Sequence, residues 1–169
     1  LNELDRFIED ELIPRYTRGK RKHYNVPYSR LCYHIKQARA QGDHERAAQL
    51  ERQRRELPAL DVNDPTYRRL RYVRYADDFM LGFIGSKSEA EAIKVAIGAF
   101  LRDKLRLEMS QTKTLITHAR TEHARFLGYA VSIYQANHRR SYDQRVGGMK
   151  RTANGQIRLG VPYGLVDEH

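Results

Sequence analysis

Asp77 and Asp78 are the residues of this chain best suited to chemistry. They are adjacent carboxylates inside Arg71-Tyr72-Val73-Arg74-Tyr75-Ala76-Asp77-Asp78-Phe79-Met80-Leu81-Gly82-Phe83-Ile84-Gly85. Side by side they offer hard oxygen donors to a divalent cation. Mg2+ usually takes one or two protein carboxylates and keeps its other positions for water and substrate phosphates. Two such ions about 3.5–4 Å apart stabilise the attacking and leaving oxygens of a phosphoryl transfer. An isolated Asp-Asp is ordinarily only turn chemistry, because Asp bonds its own backbone. The surroundings of the pair decide between the two readings.

Those surroundings are strand-like. Leu70, Tyr72 and Arg74 alternate with Arg71, Val73 and Tyr75; Phe79, Leu81 and Phe83 alternate with Met80, Gly82 and Ile84. Period-two alternation on both sides of a polar step predicts a β-hairpin with Ala76, Asp77 and Asp78 at or near its turn. Ser88-Glu89-Ala90-Glu91 fits a capping box, and Ala90, Ile93, Ile97, Phe100, Leu101 and Leu105 then run at helical spacing, which predicts an amphipathic helix over one face of the sheet. Leu107 to Ile116 is expected to leave that helix and enter a short strand. Arg125 to Ile133 reads as a strand pair, with Gly128 permitting a bend. At the front, Leu1, Leu4, Phe7, Ile8 and Leu12 form one helical stripe that Pro14 is expected to stop. No capping residue precedes Leu1, so the chain is expected to begin inside a helix. Strand hairpin, helix, strand, strand gives an α+β unit.

Composition narrows the partner. The 169 residues carry 31 Lys and Arg against 21 Asp and Glu, a formal net charge of +10. A basic excess of this size favours nucleic acid, or less often an anionic membrane surface. No apolar run is long enough to span a bilayer, and no signal-peptide pattern opens the chain. The single Cys32 excludes an intramolecular disulfide and a Cys-based zinc site, which fits a reducing compartment.

The basic residues cluster before the hairpin. Arg15, Arg18, Lys20, Arg21 and Lys22 are interleaved with Tyr16, His23, Tyr24 and Tyr28. Too few apolar residues are present to bury this stretch, so it is expected to be a loop, open to phosphate contact and base stacking or simply solvated. Ser29–Gln41 and Asp43–Leu57 read as two helices joined at Gly42, with a thin apolar seam and Arg39, Arg46, Arg52, Arg54 and Arg55 on their outer faces. Residues 58–65 are a loop returning to the hairpin. After Ile133 the pattern fades. Asn137–Arg140 and Arg145–Arg151 read as linker or nucleic-acid-facing loop, and residues 156–165 as room for one more strand.

Tyr75-Ala76-Asp77-Asp78 between two apolar strands resembles the metal-binding motif of reverse transcriptases. The longer string Tyr72-Val73-Arg74-Tyr75-Ala76-Asp77-Asp78-Phe79 is similar to the form in group II intron-encoded reverse transcriptase/maturases. Leu107 to Ile116 looks like the family segment in which a lysine, here Lys113, lies toward the phosphates of the incoming nucleotide. Phe126-Leu127-Gly128-Tyr129 looks like the primer grip. The basic helical stretch resembles the extra segment these proteins carry ahead of the catalytic hairpin. The resemblance covers about residues 1–133, most firmly 68–133.

The resemblance implies a polymerase palm fragment. Residues 1–14 would be a palm helix, 15–67 a basic α-helical insertion, 68–133 the catalytic palm core with its primer-grip-like hairpin, and 134–169 a linker toward a thumb. It implies RNA-directed DNA polymerase activity with Mg2+ or Mn2+ held by Asp77 and Asp78, and Tyr75, Ala76 and Lys113 beside the nucleotide. It also implies RNA contacts from Arg15, Arg18, Lys20, Arg21 and Lys22. The partners would be template or intron RNA, a DNA primer and deoxynucleotides, in a bacterial cytoplasm. Two departures stand out: the palm's third carboxylate, from an earlier strand, and its Gly- and Gln-containing nucleotide-binding segment have no counterpart here. The fragment alone is therefore expected not to polymerise. One rival keeps the fold but not the chemistry, a maturase acting on intron RNA through its basic surface. The other is an unrelated basic nucleic-acid-binding module whose Asp-Asp is only a turn.

Overall fold

The structure is a computed structural model that describes residues 2–134, 140–144, 147–151 and 155–162. It opens with α1 (Asn2–Arg6), which passes directly into a π-helical segment (Phe7–Leu12) and a last turn, α2 (Ile13–Arg15). The helix does not stop at Pro14, as the sequence suggested. Proline lacks an N–H and its ring crowds the carbonyl one turn back. The wider π register ahead of it, in which the Ile13 N–H reaches Ile8 O, makes room for the ring, and Tyr16 N–H closes the last turn on Leu12 O at 2.9 Å.

The stretch expected as a free loop is pinned. Arg18 and Arg68 exchange backbone hydrogen bonds of 3.1 and 3.0 Å, and Tyr24 forms a second bridge with Leu60. Between them lie α3 (Val26–Ala40) and α4 (His44–Glu56), antiparallel helices joined at Gly42. Gly42 has φ +75°, and the Asp43 side chain caps α4 by accepting from Arg46 N at 2.9 Å. Ile35, Ala38 and Ala47 are the buried residues of this pair, the thin seam that the sequence implied.

The acidic hairpin follows as β1 (Arg69–Tyr75) and β2 (Asp78–Ile84), antiparallel with Leu70 opposite Phe83, Tyr72 opposite Leu81, Arg74 opposite Phe79 and Tyr75 opposite Asp78. One face presents Leu70, Tyr72, Phe79, Leu81 and Phe83 to the core. That core is built from Leu4, Ile8 and Leu12 of the first helix, Leu70 of β1, and Ile93, Ile97 and Leu101 of α5 (Lys87–Leu105). Phe7 and Phe100 stack across it with ring centroids 4.3 Å apart. The first helix and α5 thus share the apolar face of a two-stranded sheet.

The capping box of α5 falls two residues earlier than expected. Ser86, not Ser88, is the N-cap, and Glu89 completes the box. Leu107–Ile116 forms no strand. Arg106 ends α5 in the left-handed conformation at φ +56°, and the chain folds back, with Met109 packed against the core and Thr114 N–H bonded to Ser110 O at 2.9 Å. Ser110 and Thr112 bond each other at 3.1 Å, so this polar run satisfies itself locally instead of joining a ladder.

A second sheet holds β3 (Ala124–Phe126), β4 (Tyr129–Tyr134) and β7 (Gln156–Gly160) in the order β3-β4-β7. The strand pair around Gly128 and the later strand both form. In place of the expected linker, β5 (Arg140–Asp143) pairs with β6 (Gly148–Arg151). Residues 137–139 and 145–146 of that stretch lie outside the described residues, as do residues 163–165 beyond the later strand. The architecture is α+β. No helix among the described residues is long and apolar enough to cross a membrane.

Candidate functional site

The hairpin puts both aspartates where a cation or a phosphate could reach them. Ala76 and Asp77 form the two-residue turn, and Asp78 is the first residue of β2, paired with Tyr75. Two-residue hairpin turns favour positive φ at their first central position, which glycine ordinarily supplies. Here Ala76 takes it, at φ +54°. Asp77 and Asp78 are exposed, and neither carboxylate takes a hydrogen bond or an ion pair among the described residues. The backbone of the turn, by contrast, is tied down at the Ala76 carbonyl.

The tie runs to the first helix. Asp5 grips the Arg74 guanidinium with both oxygens, Nε to Oδ1 at 2.7 Å and Nη2 to Oδ2 at 2.6 Å. Arg74 Nη1 then donates to the Ala76 carbonyl at 2.5 Å. Tyr72 adds its hydroxyl to Asp5 Oδ1 at 2.8 Å. The Arg74 hydrogen bonds hold the Asp5 carboxyl down at about 2, so it stays ionised. Burial and the Asp5 carboxylate push the Tyr72 hydroxyl well above its usual range, so it remains a donor. Asp5 lies off the apolar stripe of the first helix, and the sequence reading missed the pair. Its signal, a carboxylate on the hairpin-facing helix and an arginine on the inward face of β1, needs the fold to be seen.

The opposite face of the hairpin is open. Arg71, Val73 and Tyr75 on β1 lie with Asp78, Met80, Gly82 and Ile84 on β2, and Tyr75 is two-thirds exposed. A methyl group added at Gly82 would meet nothing within 4 Å. Tyr75 and Ala76 therefore flank the carboxylates, on the exposed side and in the turn.

The other expected site residues fall into three groups. Lys113 is exposed and takes no side-chain partner among the described residues, on the folded-back loop rather than a strand. Phe126, Leu127, Gly128 and Tyr129 form the β3–β4 turn. Leu127 and Gly128 occupy positive φ of +51° and +79°, and Tyr129 is half exposed. The five basic residues split. Lys20 and Arg21 are exposed and take no side-chain partner among the described residues, and Arg15 lies over the Tyr16 ring. Arg18 instead reaches Glu89 and Pro65 O, while Lys22 donates to Val62 O at 3.1 Å and faces the Tyr67 ring. Arg54, expected on an outer face, turns inward against Cys32 and the Tyr28 ring; Arg39 and Arg55 pair with Glu51. Arg46 and Arg52 stay exposed on α4.

As a donor set the turn suits a hard cation. It supplies two unpaired carboxylates, the number Mg2+ usually takes from a protein. No cluster of three or more His, Cys, Asp or Glu able to hold a metal occurs among the described residues. The pair alone is thus a partial cage.

An α+β unit presenting an exposed acidic hairpin turn is the class that fold and site define. Its relatives are specific. The chain is 36% identical over 171 residues to the group II intron-encoded protein LtrA of Lactococcus lactis subsp. cremoris, a match covering 96% of this chain and 27% of that protein. It is 39% identical over 130 residues to the putative COX1/OXI3 intron 1 protein of Saccharomyces cerevisiae, covering 77% of this chain and 15% of that protein. The putative COX1/OXI3 intron 2 protein of the same yeast is 27% identical over 135 residues. No family model matches the chain. The chain is a homologue of the group II intron-encoded proteins, and it spans about a quarter of the length of LtrA.

Proposed function

We propose that the chain carries the metal-binding hairpin of an RNA-directed DNA polymerase of the group II intron type, with the fold of a polymerase palm. The observation that carries this reading is the exposed Asp77–Asp78 pair, neither carboxylate paired among the described residues, on a hairpin whose turn carbonyl is held by Arg74. Asp77 would be the main ligand and Asp78 the supporting one for Mg2+ or Mn2+. Bound there, the ions would neutralise charge on the reacting phosphate, since phosphoryl transfer depends mostly on positioning and electrostatics. Ala76 is small and leaves room beside the turn, and Tyr75 offers a ring on the open face. Lys113, without a side-chain partner among the described residues, would meet a phosphate. The β3–β4 turn would hold the primer end, and Lys20 and Arg21 would contact RNA. The partners on this reading are intron or template RNA, a DNA primer and deoxynucleotides, in the cytoplasm.

The basic surface of Arg46, Arg52, Lys20 and Arg21 favours one second reading, a maturase that assists intron folding without polymerising. Primer extension on an RNA template with Mg2+ separates the two, using the whole polymerase this reading implies beside its Asp77→Asn and Asp78→Asn variants. Extension by the parent alone, with RNA binding kept in the variants, supports the polymerase. Tight RNA binding with no extension by the parent overturns it in favour of the maturase.

A further inference from the structure

We propose that Arg74 is a positioning residue for the carboxylate turn, orienting Asp77 from an anchor on the first helix through Asp5. The inference rests on the metal-binding reading of Asp77 and Asp78. It starts from a peptide plane. The Ala76 carbonyl and the Asp77 N–H belong to one rigid unit, so a donor that fixes Ala76 O also fixes the backbone entering Asp77. Arg74 Nη1 is that donor, at 2.5 Å.

The turn has need of a donor. Ala76 sits at φ +54°, where a side-chain-bearing residue pays roughly 1–2 kcal/mol relative to its preferred backbone. An exposed turn of that kind relaxes unless its surroundings hold it. A hydrogen bond from a mobile arginine would hold little, but this one is not mobile. Its two remaining guanidinium nitrogens are clamped by Asp5 in a bidentate fork, and Asp5 is itself fixed by the Tyr72 hydroxyl. A planar guanidinium satisfies both ends at once; an ammonium on a flexible stem reaches one or the other. Asp5 lies between the buried Leu4 and Ile8 on the first helix, so the anchor is rooted in the core. The turn is thereby referenced to the helix as well as to its own strands.

The test measures Mn2+ binding by electron paramagnetic resonance on the 169-residue chain, with melting curves for every variant. Groups that orient a metal ligand typically cost about 10- to 100-fold in affinity when removed. Arg74→Ala, Arg74→Lys and Asp5→Asn are each expected to weaken Mn2+ binding by about tenfold. Arg74→Ala combined with Asp5→Asn is expected to do no worse than either alone, because both cut one chain of contacts. Ile97→Val supplies the control: it loosens the core and lowers the melting temperature while leaving Mn2+ affinity as it was. Should Arg74→Ala fail to fold, Arg74→Lys keeps the charge and stem and carries the test.

The failures separate cleanly. If Asp77→Asn and Asp78→Asn bind Mn2+ as the parent does, the metal reading falls and this inference falls with it. If those two lose Mn2+ but folded Arg74→Lys and Asp5→Asn retain parental affinity, the metal reading stands and the positioning role is overturned. An equal loss in Ile97→Val also overturns it, since affinity would then follow stability alone.

Discussion

Arg68 donates Nε to Glu89 Oε2 at 2.7 Å, joining the residue just before β1 to the first turn of α5. The same carboxylate accepts from Ser86 N at 2.9 Å, just beyond β2. Glu89 therefore clasps the open end of the acidic hairpin, while the Asp5–Arg74 fork fastens the closed end.

Removing that clasp should cost more than a surface ion pair. Arg68 and Glu89 are mostly shielded, at 12% and 24% side-chain exposure, and the Glu89 half of the capping box, its bond from Ser86 N, is lost with the carboxylate. Glu89→Ala is expected to lower stability by about 2 kcal/mol in urea unfolding. The pH dependence has a definite sign. The Ser86 N–H, together with Arg68, holds the Glu89 carboxyl at about 2 against its ordinary 4.5. Its contribution is fully present above pH 4.5 and drains away as pH falls toward about 2. Asp5, lowered from 3.8 to about 2 mainly by its Arg74 hydrogen bonds, loses its contribution over the lower part of the same range. Glu89→Gln should flatten the acid limb without abolishing it; a variant curve parallel to the parent's would refute the assignment.

Gly19 should resist substitution. It lies at φ +76°, and a Cβ there would stand 2.6 Å from Thr66 O, where the two ends of the helical segment meet. Gly19→Ala is expected to cost about 1–3 kcal/mol, read as a lowered denaturation midpoint. Gly42→Ala, with a similar φ but open space around it, should cost less.

The core gives a third check. Leu70 is wholly buried on β1 between the first helix and α5. Leu70→Ala should destabilise by about 2–5 kcal/mol in the same unfolding measurement.

The 169-residue chain by itself should not extend a primer on an RNA template with Mg2+. Two carboxylates with no third among the described residues make an incomplete cage. Extension above background by the isolated chain would contradict the proposed arrangement.

Periodicity made the skeleton readable. Strict alternation around Asp77–Asp78, helical spacing from Ile93 to Leu105, and the Gly128 step each carry their element in adjacent residues, and each element forms. What escaped depends on distant partners or on competition. Two Ser-x-x-Glu patterns overlap at 86–91, and the one whose glutamate also reaches Arg68 caps the helix. Pro14 is a helix breaker only while the register ahead of it stays α-helical. Leu107–Ile116 has strand-like composition, yet Ser110 and Thr112 find bonds nearer home. Asp64 looked like one more loop residue. It is 2% exposed, accepting from His23 N at 2.7 Å and from Thr66 N at 2.8 Å, and it fixes the stretch that the sequence left free. Arg74 and Asp5 are sixty-nine positions apart, beyond any local pattern.

The Arg18–Arg68 backbone pair has a topological consequence. The chain leaves the core at Arg18 and re-enters it at Arg68, adjacent in space and hydrogen-bonded in both directions. The segment from Gly19 to Tyr67 hangs from that gate, where Arg69 of β1 also holds Gly19 O and lies over the Tyr67 ring, and the buried residues of its helices belong to none of the main core. Such a segment can lengthen, shorten or be replaced by a tight loop at a small entropic cost, while the spacing between first helix and hairpin stays the same. The strands that carry the carboxylates are thus seated by the main core, whatever the helical pair evolves to hold.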